Sequence, residues 1–406
     1  MRPAGRITAS AAALLAACGS NGSEPPARTT PAPAGSAAPA RTTPTAARSA
    51  APATARTASG SGGAPIPSAG TPIRIAAVGD LMLGSTYPDA TGRALPPHDG
   101  AELLAAVAPA LTAADVAFGN LEGPLFDGAG PPRCSPGGIA ERNHGRPGAK
   151  GCWAFRMPTR YGGLLRAAGL DVLSLANNHI DDFGPEGRAA TIATLDRLAI
   201  AHSGPAGRVA HLDVHGRALD VIAFAPYSDM NDMRDLAGAR ALVAASSARG
   251  ALVVVSFHGG AEGAAAAHVP TGPETFWGEE RGAVRAFAHG VVDAGADLVI
   301  GHGPHVVRAL EVHRGRLIAY SLGTFATYRG ISVAGVLGVT MILEARLATD
   351  GTFLDGRILP VHQDPPGGPT FDPRARVLET LRALSLADVG AAAPRLDAGG
   401  TILPPP

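Results

Sequence analysis

Ile73-Arg74-Ile75-Ala76-Ala77-Val78-Gly79-Asp80 is the stretch that decides the fold. A short apolar run rich in small and β-branched residues ends at a glycine, and a carboxylate follows. The design recurs along the chain. Residues 116–119 lead to Asn120 and Glu122, and residues 171–176 to Asn177, Asn178 and His179. Residues 252–257 lead to His258, residues 297–301 to His302 and His305, and residues 317–321 to Gly323. Helix-like stretches separate the runs, at 100–112, 159–169, 185–199 and 279–295. Gly169 suits a helix C-terminus and Pro185 a first helical turn. Strands alternating with helices indicate an α/β fold with a largely parallel core. In such folds ligands bind at the C-terminal strand ends. One site assembled from distant parts of the chain is therefore expected.

After Tyr320 the pattern changes. Residues 333–347 and 353–361 read as adjacent strands around a Thr349-Asp350-Gly351 turn, a pair suited to completing a second sheet. A helix over 373–389 and a Pro-rich end close the chain. The globular domain is expected over 73–362, with 363–406 as C-terminal helix and tail.

The chain has 406 residues with a formal net charge of +0, which argues against a large nucleic-acid footprint. Only 17% of residues are charged, and the abundance of Ala, Gly and Pro blurs periodicity. Arg2 and Arg6 precede a short apolar stretch ending Leu15-Ala16-Ala17-Cys18. It is too short to span a bilayer and fits a signal peptide over 1–18. The ending resembles a bacterial lipoprotein signal, in which Cys18 carries the lipid. Residues 19–72 are Pro, Ala, Thr, Ser and Gly, with too little apolar surface to offset chain entropy. They read as a disordered tether that holds the domain away from a membrane. Cys134 and Cys152 are expected to bridge in an oxidising compartment, two free thiols being the alternative. Such a bridge is worth about 3 kcal/mol in the chain-entropy model.

Each strand-end cluster also has a bland reading. Asp80 suits a hard cation or a turn. Asn120 and Glu122 fall on one face, with Leu121 opposite, or form a surface turn. Asn177, Asn178 and His179 combine neutral oxygen donors with an imidazole able to protonate a leaving group. His258 is crowded by Gly259 and Gly260, which favours close approach of something to the backbone. His302 and His305 sit in a Gly/Pro-framed turn, and neutral imidazole is a common ligand for zinc, manganese and iron. Together the set suits one or two divalent metals acting as Lewis acids. No P-loop and no Gly-x-Ser-x-Gly elbow is present.

These motifs, in this order, resemble the CapA family of poly-gamma-glutamate capsule biosynthesis proteins, related to the calcineurin-like metallophosphoesterases. The residues that carry the likeness run from Val78-Gly79-Asp80-Leu81-Met82 through Asn120-Leu121-Glu122-Gly123-Pro124, Phe155-Arg156 and Ser174-Leu175-Ala176-Asn177-Asn178-His179. Gly301-His302-Gly303-Pro304-His305 and Tyr320-Ser321-Leu322-Gly323 complete it. The resemblance implies a two-sheet α/β sandwich of the metallophosphoesterase type with the motif residues at one rim. It also implies a role in making or exporting an anionic envelope polymer, with partners among the polymer, a phosphoester substrate and a membrane synthase. Carried over residue by residue, Asp80, Asn120, Asn178, His258 and His302 are metal positions. His179 is the acid toward the leaving group, with Asp80 and Glu122 also in catalytic positions. Asn177, Glu262, His305 and Ser321 support the substrate or the ligands. Met82 stands where a second-metal His is expected, and Asn120 where a bridging Asp is. One metal, through Asn178, His258 and His302, is better supplied than a second. Gly259, Gly263 and Thr324 replace a Trp, an aromatic and an Asn. Their loss widens the site, shifts the substrate, or marks a binding-only descendant that serves a synthase as an accessory subunit.

Overall fold

The computed structural model describes residues 53–54, 70–88, 91–133 and 153–406. Two large sheets build it, with a separate two-stranded hairpin, Glu274–Phe276 and Glu279–Gly282. The first runs in the order Arg395–Leu396, Thr401–Leu403, Phe353–His362, Val339–Leu347, Ile73–Met82, Val116–Leu121, Val172–Ser174, Ala201–Ser203. The last four of these strands are mutually parallel. The second sheet runs Ala53–Thr54, Ala210–Val214, Arg217–Phe224, Leu252–His258, Leu298–His302, Arg316–Ala319, Leu310–His313. Its four strands from Arg217–Phe224 to Arg316–Ala319 are parallel.

The alternation of side chains along the strands explains the layering. Ile73, Ile75 and Ala77 of the first sheet share a core with Leu252, Val254, Leu298 and Ile300 of the second. The opposite faces of the same strands do different work. Ala76 and Val78 pack with Leu111, Leu165 and Leu195 from helices on the outer side of the first sheet. Val253 and Val255 pack with Val243, Phe287 and Val291 from the helices over the second. Helices thus cover both outer faces of a two-sheet sandwich. Strands buried on both faces read as continuous apolar runs, which is why these runs stand out in the sequence.

Several elements differ from expectation. The helix expected over 100–112 is regular only at Ala108–Thr112. Pro109 lacks the N–H that would continue the ladder backward, so the preceding residues form tighter turns. The segment expected as one helix over 279–295 splits into a strand, Glu279–Gly282, and a helix, Val284–Asp293. Gly282, at φ 84°, turns the chain between them. The strand pair after Tyr320 joins the first sheet rather than completing the second, because Val339–Leu347 pairs antiparallel with Ile73–Met82. Leu236–Ala248 is a helix capped by Asp235, which accepts from Gly238 N–H. Its Ala-rich sequence hides the apolar stripe. Of the expected tether, Ala53–Thr54 is described and lies parallel to Leu212 and Asp213. Cys18, Cys134 and Cys152 lie outside the described residues, so the lipidation and disulfide readings are not addressed by the structure. No helix among the described residues is long and apolar enough to cross a membrane.

Candidate metal centre

The first sheet supplies the oxygen side of the site. Its Ile73–Met82 strand continues past Asp80, with a bulge between Ala77 and Asp80 that re-aims the carboxylate. Asp80 N–H donates to Gly323 C=O at 3.1 Å. A Cβ on Gly79 would lie 1.8 Å from that carbonyl oxygen, so the glycine is what lets the turn close on the strand. Asn120 sits beside Asp80 in register and donates from Nδ2 to Asp80 Oδ1 at 2.9 Å. Asn177 Nδ2 donates to Asn120 Oδ1 at 3.2 Å and to Leu121 C=O at 2.9 Å. This amide chain fixes which end of Asn120 faces Asp80. Glu122 lies fully buried on the same face, while Leu121 packs outward, as alternation predicts.

The second sheet supplies the imidazoles. His258 and His302 are register partners at two strand ends, and Gly259 N–H donates to His302 C=O at 2.9 Å. His302 Nδ1 lies 3.4 Å from Asp80 Oδ1, and His258 Nε2 lies 3.8 Å from Glu122 Oε1. His305 reaches both carboxylates, with Nδ1 3.1 Å from Asp80 Oδ2 and Nε2 3.6 Å from Glu122 Oε1. It does so from a left-handed backbone, φ 58°, a conformation a non-glycine residue adopts at a cost.

What marks this cluster as a candidate ligand site is its unmatched polar atoms. Both Glu122 oxygens, both His302 ring nitrogens and His258 Nε2 are buried without a hydrogen bond. Each unsatisfied group costs about 1–3 kcal/mol. Five of them converging at the sheet junction need a partner, and imidazole nitrogens with carboxylate oxygens are the donor set of a divalent metal. Asp80, Glu122 and His305 also bring ligand atoms within 4.8 Å of one another. The residues present therefore fit the metal that the sequence implies.

Electrostatics follow from burial. Burial works to raise the Asp80 carboxyl, but His302 and His305 outweigh it and hold it well below the usual carboxylate range. Glu122 is pushed well above its ordinary value by burial, with Asp80 and Glu262 adding to the rise against His305. Burial opposes a charge on His305, yet Glu122, Asp80 and Glu262 together push it up to about 10. His258 is driven well below its ordinary value by burial and by the nearby Arg281.

His179 stands at the edge of the cluster and lines the cleft above it. Its Nδ1 lies 2.9 Å from Asp182 Oδ2, which leaves Nε2 to face the cleft. Arg133 ties this corner together through an ion pair to Asp182 at 2.9 Å and a hydrogen bond to Asn178 C=O. Phe155 packs against the His179 ring at 4.4 Å. Burial lowers the His179 pKa, with Asp182 opposing. Asp182, which follows His179 in the sequence and was given no role there, and Arg133, which was not named, are the groups that hold His179 in place. The spacing of Asp182, three residues after His179, was the available signal.

The remaining expected residues have mixed places. Glu262 pairs with Arg281 at 3.1 Å and approaches His305 Nε2 at 3.9 Å. Ser321 accepts from Gly323 N–H at 3.2 Å and so shapes the turn under Asp80. Thr324 Oγ1 lies 3.3 Å from His305 Nδ1. At Gly259 the expected widening is absent. A Cβ there would meet the Arg281 carbonyl oxygen and Met233 sulfur, each at 2.8 Å. Gly263, by contrast, faces open space.

Fold and site define a helix-covered two-sheet α/β protein with an Asp/Asn/Glu/His metal-type centre at its strand ends. The profile of the family described as bacterial capsule synthesis protein PGA_cap matches residues 74–329, and the chain belongs to that family. Capsule biosynthesis protein CapA of Bacillus anthracis is 28% identical over 191 residues, 41% of this chain and 42% of that protein. A probable polyglutamine synthesis accessory protein of Mycobacterium tuberculosis is 31% identical over 190 residues, 39% of this chain and 46% of that one. The matches thus span under half the length of these relatives. The solved structure of TT1561 from Thermus thermophilus gives a TM-score of 0.36 at 12% identity, covering 69% of this chain and 100% of that one. So loose a likeness adds nothing to the topology above.

Proposed function

We propose that the protein is exported, lipid-anchored through Cys18, and acts in capsule or polyglutamate-type polymer synthesis by metal-dependent hydrolysis of a phosphoester. The observation that carries this reading is the set of unmatched buried atoms on Glu122, His258 and His302 beside Asp80. A divalent metal held there supplies Lewis-acid polarisation of a phosphoryl oxygen and a more acidic water. Asn120 and Asn177 keep the Asp80 carboxylate aimed inward. His179, oriented by Asp182 and Arg133, presents Nε2 to the leaving oxygen. Water adds to phosphorus and the phosphorus–oxygen bond to the leaving group breaks; His179, as the imidazolium paired with Asp182, gives that oxygen its proton, and the proton the water loses restores His179. The test pairs elemental analysis of the purified protein with hydrolysis of bis(p-nitrophenyl) phosphate. Bound metal and metal-stimulated turnover that falls in His179→Ala support the reading; a metal-free, inert protein overturns it.

A second reading has its own observation. Both Asp80 oxygens are already engaged, Oδ1 by Asn120 at 2.9 Å and Oδ2 by His305 at 3.1 Å. A site so internally bonded suits an accessory subunit that binds polymer or synthase without turnover. A His179→Ala variant that still supports polymer production in cells favours it, and complete loss of production counts against it.

A further inference from the structure

The cleft above the metal-type centre is walled by aromatic rings. Trp153, Phe155 and Trp277 line, together with His179, Glu262 and His305, a cavity of roughly 150 Å³ open to solvent. Both tryptophans are 53% exposed. Trp277 occupies the two-residue turn of the hairpin Glu274–Phe276/Glu279–Gly282, with Gly278. Both turn residues have positive φ, 51° and 85°. Asn or Gly is the ordinary choice at the first position of such a turn. A bulky tryptophan in that conformation is strained, and strain of this kind collects at ligand clamps. The Trp277 ring stacks on Phe276 at 4.6 Å, which steadies it.

The hairpin is anchored to the loop that follows His258. Arg281 is fully buried, pairs with Glu262 at 3.1 Å and donates to Gly260 C=O at 3.1 Å. Glu274 accepts from Ala261 N–H at 2.9 Å and pairs with buried Arg308 at 2.9 and 2.7 Å. Trp277 is thus a rigid platform fixed relative to the imidazoles. The charge of the cleft selects what it takes. Among the described residues no arginine or lysine lines it, and Glu262 does. The cationic His305 in its lining is already matched by Asp80, Glu122 and Glu262, so a run of free carboxylates meets little unmatched countercharge there. A sugar ring offers an apolar C–H face for an indole and hydroxyls for Glu262 and His179, the pairing of apolar body and polar edge that aromatic-walled pockets select.

We propose that the cleft holds a neutral pyranose ring between Trp277 and Trp153, so that the substrate of the neighbouring centre is a sugar phosphoester rather than a polyanionic segment. This rests on the strand-end cluster being the working site. Trp153 and Trp277 are the two tryptophans of the whole chain, so its indole emission reports the cleft directly. The test titrates the full chain, without added metal, with cellotriose, chitotriose and a γ-linked glutamate trimer, read by fluorescence and by calorimetry. A saturable response to a sugar trimer is expected, weakened at least tenfold in Trp277→Ala and largely kept in Trp277→Phe. Folding of each variant is checked by its melting curve. Absence of binding by both sugars, equal binding of the glutamate trimer, or an unchanged Trp277→Ala overturns the proposal. Because no turnover is read, sugar binding by a hydrolytically inert protein keeps the sugar cleft and overturns only the hydrolytic reading it rests on, and hydrolysis without sugar binding sinks the sugar cleft alone.

Discussion

Two His/carboxylate clusters in this molecule use the same residue types and differ in one respect. At the strand-end rim, Asp80, Glu122, His258, His302 and His305 converge with buried atoms left unpaired. At the edge of the second sheet, His289 of the Val284–Asp293 helix joins Glu311 and His313 of the Leu310–His313 strand in a group of equal chemical promise. There the protein satisfies its own groups. His289 Nε2 lies 3.0 Å from both Glu311 oxygens, and Tyr320 donates to Glu311 Oε2 at 2.6 Å. The His289 and His313 rings stack at 4.1 Å, and His313 Nε2 meets Asp293 at 3.2 Å. A buried polar network that closes on itself stabilises a fold, whereas one left open calls for a ligand.

The sharpest way to break that contrast is His302→Ala. Metal affinity at the rim is expected to fall on the order of a thousandfold, read by elemental analysis after dialysis, and a variant that keeps its metal refutes the distinction. Next comes Glu311→Ala, which strands buried Tyr320 and half-buried His289. It is expected to cost about 3 kcal/mol in denaturant unfolding while metal content stays unchanged; a loss of metal would make the second cluster a ligand site too. Saturating wild type with metal at a hundred times Kd should add about 2.7 kcal/mol of stability. The gain should vanish in His302→Ala and persist in His313→Ala, as followed by thermal melting. His313→Ala itself, half-buried and paired at the surface, is expected to cost under about 1 kcal/mol.

Much of the site was legible because its signals are local. An apolar run ending in Gly79-Asp80 or Gly301-His302 announces a strand and its edge residue without reference to the rest of the chain. Alternation placed Asn120 and Glu122 on one face, and the structure agrees. Elements with weak local signals were lost. The Leu236–Ala248 helix is mostly small residues, and the Glu274–Phe276/Glu279–Gly282 hairpin hides inside what reads as a helix approach. Arg133 was missed because it reaches Asp182 and Asn178 from a distant segment, and Asp182 was given no role because a carboxylate just after Asn-Asn-His also suits a turn.

The sequence by itself determined an alternating α/β fold with a largely parallel core and the residue types at each strand end, since both follow from hydrophobic periodicity and from where each run stops; the two-sheet layering came from the family resemblance and is decided by the packing. Tertiary structure decided which histidines and carboxylates are stranded without partners and which close on themselves. It also decided that the space beside Gly259 belongs to Arg281 and Met233 rather than to solvent. The reason is physical: satisfaction of a buried polar group depends on every neighbour within hydrogen-bonding reach. Those neighbours come from segments as far apart as Asp80 and His305, which only the packing of the two sheets brings together.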